Sequence, residues 1–388
     1  MHRYIVLTIL FAWALAAHAQ NAPQTGKTPP LTGSNVLNPN ISVVGNFLAY
    51  AGAEADGRGH GHDHGEEKPA AFELSEAELG IQAAIDPYAK ADVFIGFHAH
   101  EVELEEAYVT WLRLPAGLGL KMGKFRAAFG KFNLVHPPET HFPDRPLAHE
   151  EFLGGEGLAA AGVQFSYSPP TSLYLNFIAE VTNVWDNAPA FGFIDEGDPL
   201  DEEDDHLERG GRRRSDLGYL GRAETYFDLT ESQNLSLGLS HAASFWDEEA
   251  ELRSHLSGFD ATYRWKNPRR AIYRSVFWQT EVMHLRREME EGADALDRWG
   301  GFTHLDYQFA RRWHAGARAD YTREAFGYEP DEPHGGRRGG MLYAAFAPSE
   351  FSLLGLYGRA VRLANGETDH TAFFRLTFSL GPHGAHPF

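Results

Sequence analysis

The sequence predicts an all-β protein, a transmembrane antiparallel β-barrel of about 16 strands with an inward-folding third external loop. Three observations carry this expectation. Side chains alternate with a period of two from residue 41 onward, and the even-numbered connections are tight while many odd ones are long. The chain is also rich in glycine and aromatics, with 40 Gly, 27 Phe, 15 Tyr and 8 Trp among 388 residues, as the interfacial girdles of a barrel require. A mean hydropathy of -0.38 fits the same fold, because alternating lipid-facing and lumen-facing residues average the signal away.

Taken in order, residues 1–19 read as a signal peptide: Arg3 supplies the positive end, Tyr4 to Leu15 the apolar core, and Ala17-His18-Ala19 the cleavage site. The apolar run of about 12 residues falls short of the about 20 that a membrane helix needs. Residues 20–40, with their Pro, Asn and Thr, read as a flexible leader, and residues 41–388 as the outer-membrane barrel. Strands are expected near 41–50, 72–85, 88–97, 102–113, 117–126, 159–168, 172–182, 216–228, 233–246, 254–265, 271–286, 299–309, 313–325, 339–347, 350–362 and 370–380. In one of them Leu173, Leu175, Phe177, Ala179 and Val181 form an apolar face against Tyr174, Asn176, Ile178, Glu180 and Thr182. The tight even connections are Asp86-Pro87, Leu114-Pro115-Ala116, Pro169-Pro170-Thr171, Thr230-Glu231-Ser232, Lys266-Asn267-Pro268-Arg269, Ala310-Arg311-Arg312 and Pro348-Ser349. The odd ones include the long stretches 51–71, 127–158, 183–215, 287–298 and 326–338. Membrane barrels place short turns on one side and long loops on the other, whereas a soluble sandwich has no reason for such parity.

With Cys at 0, no disulfide framework is available to an exported chain, so cohesion must come from a closed ladder or a large core. The formal net charge of -20 argues against nucleic acid as a partner. It would favour cations if it lined a lumen, but solvent-facing loops hold charge equally well.

Four stretches carry a family resemblance: N-P-N-I-S-V-V-G-N-F at 38–47, F-E-L-S-E-A-E-L-G-I-Q at 72–82, G-K-F-R-A-A-F-G at 123–130, and H-F-P-D-R-P through F-L-G-G-E-G-L at 141–158. The C-terminal F-R-L-T-F-S-L-G-P-H adds a fifth. Together they resemble a bacterial outer-membrane family described as zinc-regulated and distantly similar to phosphate-selective porins. The resemblance implies an outer-membrane channel with a link to zinc supply. The chain departs from the plugged 22-stranded transporters sometimes grouped with that family, since no plug-sized domain precedes the first expected strand. Nor does a net charge of -20 suggest an anion pore.

Two stretches stand out as candidate sites. The tract 59–67 holds His60, His62, Asp63 and His64 among glycines, a composition that suits zinc, nickel or copper; a solvated loop that meets metal only incidentally is the competing reading. The loop 127–158 is expected to narrow the pore with His136, Glu139, His141, Asp144, Arg145, His149, Glu150 and Glu151, stiffened by Pro137, Pro138, Pro143 and Pro146. The competing reading there is structural, with Asp144 and Arg145 pairing within the loop or with the wall. Phe129, Phe132 and Phe142 favour inward packing over exposure to water.

Alternation also assigns lumen-wall residues: Arg222 and Glu224, Asp260 and Arg264, His304 and Asp306, Arg318 and Asp320, and Arg375. Opposite charges two or four residues apart on the same face read as mutual neutralisation. In the fourth external loop, Arg212 to Arg214 adjoin Asp201 to Asp205 and read as intraloop pairs or head-group contacts. Catalysis has little support. Ser240 and His241 are adjacent in a strand and point to opposite faces, and neither G-x-S-x-G nor H-E-x-x-H occurs. The expected function is a porin-like channel for passive or facilitated diffusion of small solutes or ions, divalent zinc among them. A metal-capturing surface receptor and an outer-membrane enzyme are the alternatives. Expected partners are outer-membrane lipid, the permeant solute and two further copies in a homotrimer; no cofactor is required, with a weakly held Zn ion as the candidate ligand.

Overall fold

The computed structural model describes residues 39–52, 70–99, 101–112, 114–185, 188–191, 217–247, 252–269, 273–289, 295–323 and 335–381. The signal peptide, all but the end of the leader, the histidine tract 59–67 and the charged stretches 201–205 and 212–214 lie outside them.

The described residues form sixteen strands in a closed barrel. In chain order these are β1 (Asn40–Gly52), β2 (Ala70–Asp86), β3 (Ala89–Phe97), β4 (Val102–Trp111), β5 (Leu118–Arg126), β6 (Ala159–Tyr167), β7 (Tyr174–Asn183) and β8 (Leu217–Thr230). The second half comprises β9 (Gln233–Asp247), β10 (Leu252–Lys266), β11 (Ser275–Arg287), β12 (Leu296–Ala310), β13 (Trp313–Arg323), β14 (Gly336–Ser349), β15 (Ser352–Arg362) and β16 (Thr368–Leu380). Every strand pairs antiparallel with its neighbour in sequence, and β1 closes on β16 from Val43 opposite Leu380 to Gly52 opposite Thr371. Closure leaves no open edge in the hydrocarbon, where unpaired backbone groups are costly.

Local chemistry sets the hairpins. Asp86 Oδ1 accepts hydrogen bonds from the backbone N–H of Tyr88 (2.7 Å) and Ala89 (2.9 Å), which folds the β2–β3 turn. The β4–β5 connection is a 3-10 turn over Pro115–Gly117 with Ala116 at φ 60°. The seventh strand begins at Tyr174 rather than at 172, because Pro169 and Pro170 offer no N–H to a ladder and the Thr171 hydroxyl is turned back onto the Leu173 carbonyl.

Alternation resolves into an inside-out molecule. Leu342, Leu356, Leu239 and Leu380 are 60–69% exposed on the outer face, while Glu180, Thr182, Arg222, Asp260 and Arg375 are buried within. Exposed aromatics gather at two levels. Tyr88, Tyr167, Tyr307, Phe309, Trp313 and Phe351 lie at the short-turn end, and Phe97, Tyr219, Trp299 and Tyr321 toward the opposite end. No helix among the described residues is long and apolar enough to cross a membrane, a test that does not bear on strands.

The loop between β5 and β6 carries 3-10 turns at Phe132–Leu134 and Pro137–Glu139 and one helix, α1 (Leu147–Leu153), which packs on β12, β13 and β14. The loop therefore lies inside the barrel, as its aromatics predicted.

Candidate functional site

Two apolar patches draw the loop inward. Ala127, Ala128, Phe129, Phe152 and Leu153 pack against Ala242, Leu256, Met283 and Leu285, which project into the lumen from β9, β10 and β11. Phe132 and Phe142 pack with Phe302, Met341, Tyr343 and Tyr357 from β12, β14 and β15. Each buried phenylalanine contributes about 2 kcal/mol toward keeping the loop in the lumen. Trp185 and residues 188–191 follow it inward: Trp185 and Phe191 are fully buried, and the Ala190 N–H donates to the Phe152 carbonyl at 3.0 Å.

Polar anchors then fix its course from wall to wall. Glu281 of β11 accepts the backbone N–H of Lys131 (2.8 Å) and Phe132 (2.7 Å), and His149 Nε2 lies 3.0 Å from its other oxygen. Gly130, at φ +62°, passes so close that a Cβ would overlap this carboxylate. Arg375 of β16 donates to the carbonyls of Pro138 (2.6 Å), Thr140 (2.7 Å) and Phe142 (3.2 Å) and to Asn46 Oδ1 (3.1 Å). Asp144 receives two bonds of 2.9 Å from Arg318 of β13 and one of 2.9 Å from Arg359 of β15. Glu151 on α1 pairs with Arg337 of β14.

His136, His141, Asp144, Arg145, His149 and Glu151 all lie within the lumen, with Glu139 and Glu150 half-buried on the same loop. Of the two structural pairings expected for Asp144 and Arg145, within the loop or with the wall, Asp144 takes the wall, and Arg145 lies over the Phe132 ring at 5.6 Å. On the wall, Arg222–Glu224 and Arg318–Asp320 are neutralised along one strand as expected, at 3.4 and 2.8 Å. Asp260 departs from that scheme: it binds Arg222 across strands at 2.7 and 3.1 Å, leaving Arg264 over the Phe277 ring. His304 and Asp306 meet through the Tyr343 hydroxyl, which lies 2.8 Å from His304 Nε2 and donates to Asp306 at 2.7 Å, while His314 holds the other Asp306 oxygen. The candidate metal ligands His60, His62, Asp63 and His64 lie outside the described residues.

Sequence reasoning missed Glu281 and a cluster on the opposite wall. Glu76 and Glu78 of β2 and Glu105 and Glu106 of β4 are buried around His136 and Arg126. His136 Nδ1 lies 2.6 Å from Glu78 and 2.9 Å from Glu105, and Nε2 lies 2.7 Å from Glu106. Arg126 binds Glu105 at 2.6 Å and gives its backbone N–H to Glu106 at 2.8 Å. A pair of inward glutamates two apart in β2 was the available signal.

Burial and charge set the loop's titration. Burial opposes the charged form of His136, but the Glu78 charge and the bonds to Glu105 and Glu106 outweigh it and hold the imidazole well above its ordinary value. His141, buried against Phe277 and His304, is pushed down to about 4, and burial also lowers His149 despite Glu281. Burial disfavours an ionised Asp144, yet Arg318 and Arg359 overcome it and keep the carboxyl below its usual range. Lys131 falls to about 8, through burial first and then Arg264. Beneath the loop, toward the short turns, a cavity of about 650 Å³ opens among Gln308, His314, Thr377 and Ser379.

A sixteen-strand barrel with lipid-facing apolar residues and a loop folded into its lumen defines a porin-like β-barrel of the bacterial outer membrane. The chain belongs to one family with an uncharacterized protein of Aquifex aeolicus (strain VF5), to which it is 31% identical over 352 residues, 84% of this chain and 72% of that one. No protein-family model matches the sequence. Among solved structures it is similar in fold to OprB of Pseudomonas putida (TM-score 0.58, 10% identity, 88% of this chain and 94% of that one). It is likewise similar to the outer-membrane channel DcaP of Acinetobacter baumannii (0.57, 10%, 88% and 97%) and to an anion-selective porin from Comamonas acidovorans (0.57, 9%, 88% and 98%). These likenesses carry the fold and leave the zinc association as an expectation of the sequence alone.

Proposed function

We propose that the protein is a passive diffusion channel for small hydrophilic solutes and ions, constricted by the loop 127–158 and preferring cations. The observation that carries this is the loop's attachment across the lumen, from Glu281 through Arg375 to Arg318 and Arg337, above an open vestibule. The cation preference is supported by the buried charge. Among the described residues eleven buried carboxylates face six buried arginines, and low-dielectric walls focus that excess field. Divalent ions such as zinc fall within the same permeant class, and a homotrimer is the arrangement we expect. Ser240 projects inward to the Gly130 N–H and His241 outward to Ser257, an arrangement that offers no nucleophile–base pair and favours a channel over an enzyme.

The test is reconstitution of the folded protein in planar bilayers. Discrete ohmic conductance steps are expected, with a reversal potential of cation-permeable sign across a KCl gradient and a measurable current under ZnCl2. A silent bilayer containing verified folded protein would remove the channel reading. An anion-permeable sign would remove the cation preference alone.

A further inference from the structure

The cluster around His136 holds more negative charge than its own cations balance. Glu76, Glu78, Glu105 and Glu106 surround one imidazole and one guanidinium, all buried. Glu76 is 2% exposed, its carboxyl contacts that of Glu105, and Oε1 of each finds no hydrogen-bond partner. Two carboxylates held together out of water need a proton or a cation between them. Glu78 Oε2 is also without a hydrogen bond although it lies 2.6 Å from His136 Nδ1, so it sits beside the nitrogen but off the line of an N–H.

We propose that Glu78, Glu105 and His136, with Glu76 alongside, bind a divalent transition-metal ion that fastens the constriction loop to the β2–β4 wall. One donor atom from each of the first three lies within 4.8 Å of the others. Donors sharing one ion at about 2.1 Å stand at most about 4.2 Å apart, so shifts of under about 1 Å complete the site. Its outer shell is built as well. Glu106 holds Nε2 at 2.7 Å, which orients the ring; the ion takes the place of the Nδ1 proton, which is released to solvent, and Arg126 steadies both Glu105 and Glu106. One imidazole among carboxylates suits Zn2+ or Mn2+ better than Ca2+, which takes oxygen ligands throughout. This site is separate from the tract 59–67 and does not depend on which solute permeates.

The experiment uses the folded barrel lacking residues 59–67, stripped with chelator and equilibrated with Zn2+ or Mn2+, with bound metal read by elemental mass spectrometry. One equivalent per chain is expected. Glu78→Gln with Glu105→Gln, or His136→Gln alone, should weaken binding a hundredfold or more, and Glu106→Gln by about tenfold through the outer shell. X-ray absorption of the zinc-loaded barrel should show an oxygen-rich shell with one imidazole, which decides the matter even where a variant fails to fold. No uptake by a barrel whose circular dichroism is intact, unchanged uptake by folded His136→Gln, or a shell of several imidazoles would each overturn the proposal. Uptake is measured without conductance, so a silent channel leaves this result standing on its own.

Discussion

At His141 and Asp144 the loop stores two successive responses to acid, each of which lowers stability as pH falls. His141 titrates near 4 in the folded protein against 6.5 when exposed, so the unfolded chain takes up the extra proton between those values. Stability is then fullest above pH 6.5 and declines by about 3 kcal/mol as pH falls to about 4, with no further loss below. Urea unfolding in detergent across that window should show the decline, and His141→Asn should flatten it. Equal slopes for both proteins would place the acid sensitivity elsewhere. Asp144, held below its ordinary value by Arg318 and Arg359, supports folding above pH 3.8 and gives way only as pH falls through its lowered value. Replacing it with Asn removes a charge partner from the buried Arg318 and from the half-buried Arg359. A cost of about 3 kcal/mol is expected, toward the low end for a broken buried pair because Arg318 keeps Asp320.

The loop 127–158 is the element on which permeation turns. Replacing 137–153 by a short flexible linker removes α1 and its cover over the lumen, and conductance should rise severalfold while the strand signal in circular dichroism persists. An unchanged conductance would mean that the narrowest section lies elsewhere. Neutralising Glu139, Asp144, Glu150 and Glu151 together should lower cation over anion permeability, most clearly at low salt. Because Asp144 and Glu151 face Arg318, Arg359 and Arg337, the change also uncovers guanidinium charge and drives the reversal potential further toward anions. Identical reversal potentials would assign selectivity to the wall. That this loop enters the lumen was legible in Phe129, Phe132 and Phe142, which an external loop would leave in water. Its moorings were not. Glu281 stands 149 residues from the Phe132 N–H it accepts, and no local pattern marks such a pairing.

For the whole molecule, the outward leucines decide between membrane barrel and soluble sandwich. Leu342, 69% exposed in the middle of β14, faces hydrocarbon in the first case and water in the second. Leu342→Arg should therefore cost about 2–4 kcal/mol in lipid vesicles, and far less where detergent or water reaches the site. A neutral substitution in vesicles would contradict the placement of that face against lipid.

Strand number, the lipid-facing side of each strand and the even-numbered tight turns were determined by the sequence alone, because a two-residue period and turn chemistry are local properties. The same alternation is enough to place Arg222, Asp260, Arg318 and Arg375 in the lumen. It could not place them in depth or around the barrel, so Asp260 was matched to Arg264 on its own strand when its partner is Arg222 across the sheet. Nor could it foresee lumen-facing apolar positions such as Met283 and Leu285, which break the polar-inward rule where the loop docks. Only the folding of the loop into the lumen brought His136 to the glutamates of β2 and β4. A period reports which face a side chain takes, whereas ion pairs and metal sites depend on distances between segments that the chain joins only through the fold.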